Sequence, residues 1–104
     1  FNTGQDCSSI ERVYVEEAIA ERFVAQVAAT VAKLKVAPDP DADLAPIQNE
    51  AQLRLVEAHV RDAIEKGAKL IAGGAPTGTG FGFQPTVLDQ CDERMKVVSD
   101  ETFG

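Results

Sequence analysis

Tryptophan is absent from the 104 residues, and histidine, tyrosine and methionine occur once each. Aromatics at 6 % leave few rings on which bases could stack. Lys+Arg number 10 against 17 Asp+Glu, giving a formal charge of −7 and a pI near 4.5. Such a surface repels phosphate backbones, so nucleic acid is not an expected partner. Cysteine is scarce as well. Cys7 and Cys91 are too few for a disulfide scaffold, although one bridge between them stays open. A reduced, cytoplasmic chain is the simpler reading. No apolar run approaches the roughly 18 residues that span a bilayer, and no basic, apolar leader is visible, so neither a membrane partner nor a signal peptide is expected. The lone histidine, His59, has no metal-ligand spacing around it, and no metal is expected.

What is present is ordinary for a folded domain: 44 % hydrophobic and 26 % charged residues. A chain of this length buries only about 60–65 % of the surface of its unfolded form, so the core is expected to be modest. The chain starts at Phe1-Asn2 without Met and stops at Glu101-Thr102-Phe103-Gly104 without a closing helix. The expectation is that residues 1–104 form a partial domain, truncated at both ends.

Hydrophobic periodicity organises the rest. Phe1 to Ser9 is polar and carries Gly4, a loop or the approach to a turn. Arg12-Val13-Tyr14-Val15 reads as a short strand. Ile19, Phe23, Val27 and Val31 recur every four residues and predict a helix from Glu16 to about Leu34. Pro38, Pro40 and Pro46 make Val36 to Pro46 a loop, kept solvated by Asp39, Asp41 and Asp43. Asn49 to Lys66 is a second helix, with Asn49 as cap, Gln52 in the capping-box place and Gly67 as C-terminal cap. Ala68 to Ala72 and Gln84 to Leu88 read as strands joined by a Gly-rich loop, and Met95 to Val98 as a last strand. The fold class expected is α/β, with two helices packed on a short mixed sheet.

Few residues could carry chemistry. Cys7 lies in a polar, Gly-containing loop, Gly4-Gln5-Asp6-Cys7-Ser8-Ser9, where a thiol is more accessible than in a core. An isolated cysteine is otherwise more often a small buried apolar residue. Cys91 has Asp89 and Asp92 beside it, which raise its pKa and argue for an inert thiol. His59 reads as a solvated or partly packed helix residue, a weak partner for Cys7. Gly73 to Gly82 lacks the following helix and the Lys-Ser/Thr pair of a phosphate loop, so it reads as a connection between strands. The alternating Asp39, Asp41 and Asp43 lack the register of a calcium loop.

Taken together, several segments resemble the aldehyde dehydrogenase superfamily in order along the chain. Phe1-Asn2-Thr3-Gly4-Gln5-Asp6-Cys7 resembles its nucleophile segment, and Glu11-Arg12-Val13-Tyr14-Val15 its next strand. Ala45-Pro46-Ile47-Gln48-Asn49 is similar to the Gly-Pro segment that opens its following helix. Gly67-Ala68-Lys69-Leu70 and Gln84-Pro85-Thr86-Val87-Leu88 follow in order, and Glu101-Thr102-Phe103-Gly104 resembles its Glu-x-Phe-Gly cofactor motif. Ala37 and Ala45 depart from the pattern where Gly is common.

The resemblance implies a part of an NAD(P)-dependent catalytic domain. By matching position, Cys7 is the nucleophile, and its N–H supplies part of an oxyanion hole. Glu101 and Phe103 bind NAD or NADP, Glu101 through the nicotinamide ribose and Phe103 at the nicotinamide ring. Asp6 lines the substrate pocket and favours an aldehyde with a distant amine. The substrate class is a small-molecule aldehyde, oxidised to a carboxylic acid through a thiohemiacetal and a thioester on Cys7. The family's general base, second oxyanion donor and dinucleotide-binding segment precede the nucleophile, so these 104 residues alone are expected to be inactive. A homo-oligomer is expected. The competing reading is a non-catalytic α/β module that associates through its apolar surface.

Overall fold

The computed structural model describes all residues, 1–104. A 3-10 turn at Asn2–Gly4 precedes helix α1 (Glu17–Val31), helix α2 (Glu50–Glu65), strands β1 (Lys69–Ala72) and β2 (Val87–Asp89), and a one-turn helix α3 (Lys96–Ser99). The α/β class holds. The sheet has two antiparallel strands, with Lys69 opposite Asp89, Leu70 opposite Leu88 and Ala72 opposite Val87. The one parallel pairing is an isolated bridge from Val36 to Leu44 that closes the proline loop.

The helix ends follow from local chemistry. Asn49 Oδ1 accepts the Gln52 N–H at 2.9 Å, satisfying one of the unpaired donors of the first turn of α2. Gly67 closes α2 at φ +106, a conformation that a β-carbon disfavours. The Gln52 side chain does not return to the cap. It donates instead to the carbonyls of Thr102, at 2.7 Å, and Phe103, at 3.0 Å, which turns a helix-start residue into a tertiary tie.

The core lies under α2. Ile47, Val56, Val60 and Phe83 form one cluster, and Ala63, Ala68 and Met95 another, with Leu88 of β2 touching both. Only 11 of 104 residues are buried, so the core is as modest as the chain length suggests. The apolar stripe of α1 lies towards β1 and β2. Two strands are too narrow to cover it, and no residue of α1 is buried.

Two predicted strands are absent. Met95 to Val98 turns into α3: the Met95 carbonyl accepts the N–H groups of Val98 and Ser99, at 2.9 and 3.0 Å. A four-residue segment with three apolar side chains, Met95, Val97 and Val98, fits a strand and a helical turn equally, and here Met95 anchors the turn at 1 % exposure. Arg12 to Val15 forms no ladder. No strand of the chain lies beside it, and Val13 and Tyr14 are exposed.

Candidate active site

The segment before Cys7 is fixed by side chains. Gln5 is buried, and its Nε2 donates to the carbonyls of Asn2, at 3.2 Å, and Pro46, at 3.3 Å, while its Oε1 accepts the Gln48 N–H at 2.8 Å. Thr3 Oγ1 donates to the Ala45 carbonyl at 3.0 Å. The turn is thus pegged to the strap that leads into α2. Gly4, at φ +78, permits close approach: a β-carbon there would lie 3.2 Å from the carbonyl carbon of Gly104. The first and last segments of the chain therefore meet.

Cys7 emerges from this turn as a free, exposed thiol, and its N–H has no acceptor within the chain. Asp6 accepts hydrogen bonds from the Ser8 N–H, at 2.8 Å, and from the Ser8 hydroxyl. The Ser8 hydroxyl and amide bonds hold its carboxyl below the usual carboxylate range, so it is ionised at neutral pH.

The segment Glu101 to Gly104 is gripped by other elements. Besides the two bonds from Gln52, His59 Nδ1 lies 3.1 Å from Thr102 Oγ1, and the Phe103 N–H donates to Glu11 Oε1 at 2.9 Å. His59 corrects its sequence expectation: it is buried, because its ring faces Thr102 and not solvent. Glu101 stays exposed, and its carboxylate makes no bond within the chain.

Asp6, Cys7, Glu11, Arg12, Tyr14 and Glu101 share an open cleft of about 560 Å³. Of the four residues singled out in the sequence, Asp6, Cys7 and Glu101 come together there; Phe103 is half-buried and set back from it. His59 does not line the cleft. The lining carries Asp6, Glu11, Asp100 and Glu101 against one cation, Arg12, whose guanidinium donates to the Val98 carbonyl. A second groove, of about 230 Å³ along α1, is lined by Phe23, Gln26, Val27, Thr30 and Val31 and holds no nucleophile. Cys91 lies elsewhere, and partial burial together with Asp89 and Asp92 pushes its thiol up.

Sequence reasoning missed Glu11 and the tertiary roles of Gln5, Gln52 and His59. The partners of Gln52 lie 50 and 51 residues away, and Glu11 and Phe103 are 92 apart, separations that no local pattern reports.

A family model described as "Aldehyde dehydrogenase family" matches residues 1–104. The curated 3-sulfolactaldehyde dehydrogenase of Pseudomonas putida is 42 % identical, over 99 % of this chain and 22 % of its own length. A probable succinate-semialdehyde dehydrogenase [NADP(+)] of Sinorhizobium fredii is 37 % identical with the same coverage. The crystal structure of succinate-semialdehyde dehydrogenase from Burkholderia pseudomallei superposes with a TM-score of 0.92 at 42 % identity, covering 98 % of this chain and 22 % of that one. A betaine aldehyde dehydrogenase from Staphylococcus aureus, solved in complex with NAD+, gives 0.92 at 30 % identity, covering 100 % and 22 %. The chain spans about a fifth of the length of the curated relatives it matches.

Proposed function

We infer the function from one premise: the chain belongs to the aldehyde dehydrogenase family. It is proposed as the part of an NAD(P)-dependent aldehyde dehydrogenase that carries the nucleophile and one side of the nicotinamide site. One observation carries this reading: the exposed thiol of Cys7 and the unpaired carboxylate of Glu101, 94 positions apart in the sequence, open into a single cleft.

In the proposed reaction the Cys7 thiolate adds to the aldehyde carbon. A carbon–sulfur bond forms, and the carbonyl pair moves to oxygen. The Cys7 N–H, free of any acceptor in the chain, donates to that oxyanion, which is strongest where water is excluded. When bound, the nicotinamide dinucleotide supplies the acceptor for the hydride that leaves the same carbon. The carbonyl re-forms as a thioester on Cys7. Water then adds, the thiolate departs, and a carboxylic acid is released. Sulfur suits both halves, since it adds readily to a carbonyl and leaves readily from a thioester.

The residues fit the cofactor. Glu101 is exposed in the cleft with both oxygens free to accept a ribose diol, and the segment around Phe103 is held by Gln52 and His59 of α2 on one side and by Glu11 on the other. Asp6, ionised and in the same cleft, favours aldehydes bearing a distant cationic amine. Two free thiols suit a cytoplasmic setting, and the uncovered stripe of α1 suits an assembly with further protein, including a second copy.

The test uses the full-length protein that carries this chain, assayed with aminoaldehydes and neutral aldehydes and with NAD or NADP. Cofactor-dependent oxidation is expected, with none from residues 1–104 alone. Asp6→Ala should lower the preference for aminoaldehydes about tenfold, the scale of one lost charge contact. No oxidation by the full-length protein would refute the reading; unchanged selectivity in Asp6→Ala would refute the role of Asp6.

A further inference from the structure

Phe103 holds φ +56, a left-handed backbone that a bulky side chain rarely adopts. Such a conformation persists where its surroundings over-determine it. Gln52 and His59 supply part of the restraint, and both belong to α2. The remaining contact comes from the other side. The Phe103 N–H donates to Glu11 Oε1 at 2.9 Å and has no other acceptor in the chain. Glu11 stands four residues after Cys7 and lines the same cleft. Next to it, Arg12 donates to the carbonyl of Val98. The stretch that follows the thiol is therefore laced to the stretch that ends in the proposed cofactor motif.

We propose that Glu11 is a positioning residue, whose carboxylate fixes the Phe103 amide and so sets Phe103 and the nearby Glu101 relative to Cys7. The inference rests on the cofactor role given above to those two residues. A carboxylate is the strongest acceptor that a side chain can offer a backbone N–H. Glu11 forms no ion pair that would compete for it. The role needs an acceptor oxygen at this position and does not need a titrating group.

The experiment compares Glu11→Ala and Glu11→Gln in the full-length protein. Glu11→Ala should raise the KM for the nicotinamide cofactor about tenfold, the scale of one hydrogen bond to a charged group, with a smaller change in the KM for aldehyde. Hydrogen exchange at the Phe103 amide should quicken by a similar factor. Glu11→Gln keeps an acceptor oxygen and should restore both most of the way. A native cofactor KM with a native exchange rate in Glu11→Ala overturns the proposal, as does a Glu11→Gln protein whose Phe103 amide exchanges as fast as an unbonded one. The second criterion holds even where Glu11→Ala fails to fold. If the native full-length protein oxidises no aldehyde, the cofactor reading falls, and exchange at Phe103 still decides whether Glu11 positions that amide.

Discussion

Gln5 and Gln52 each carry a carbonyl and an amide on one side chain, which lets one residue join backbone acceptors and donors from separate segments. Gln5 spans the turn that precedes Cys7 and the Pro46–Gln48 strap; Gln52 spans the start of α2 and the carbonyls of Thr102 and Phe103. Both stand at positions the sequence marks, one in Gly-Gln-x-Cys and one three residues after Asn49. Their partners are set by packing and carry no local signature. His59 shows the same limit: its place on the helix is readable, whereas its burial and its contact with Thr102, 43 residues on, are not. A charge effect is also expected at this scale. Hydrogen bonds from the side chain and amide of Arg94 hold Asp92 at about 2, below its ordinary 3.8. The unfolded chain binds this proton first, so the stabilising contribution is complete above about 3.8 and is lost as pH falls towards about 2. An NMR titration of the Asp92 carboxyl should show the low midpoint in the wild-type protein and a return towards 3.8 in Arg94→Ala. A midpoint near 3.8 in the wild-type protein would contradict the assignment.

At the scale of elements, α2 is the most legible part of the chain because its signals are local and agree. Cap, apolar stripe and terminal glycine all specify one helix, and the structure runs it from Glu50 to Glu65. Asn49→Ala should therefore destabilise the fold by about 1 kcal/mol, read from a chemical denaturation midpoint, by removing the acceptor for the Gln52 N–H. An unchanged midpoint would show that the cap is dispensable. The two short segments were legible only as rich in apolar residues. Met95 to Val98 forms a helical turn because Met95 fills the space beside Ala63 and Ala68, and Arg12 to Val15 stays unpaired because a strand needs a neighbour that these residues lack. Pattern reports which residues avoid water, and the partner decides the backbone.

At the scale of the molecule, surface area is informative. A compact monomer of 11.1 kDa is expected to expose roughly 5,700 Å², whereas this chain exposes 6934 Å². The excess includes apolar side chains: Phe1, Ile10, Val13, Tyr14, Ile19 and Phe23 all reach solvent. It is comparable in size to a stable protein interface, which supports the proposal that further protein covers this unit. What the 104 residues hold together is the thiol and the carboxylate of one cleft. The most direct measurement is NAD(P)-dependent aldehyde oxidation by the full-length protein with Cys7→Ser beside the wild-type protein. The account predicts robust oxidation by the wild-type protein and a loss of roughly a thousandfold or more in Cys7→Ser, since a neutral hydroxyl replaces the nucleophile. A Cys7→Ser protein that oxidises aldehydes at the wild-type rate would contradict it.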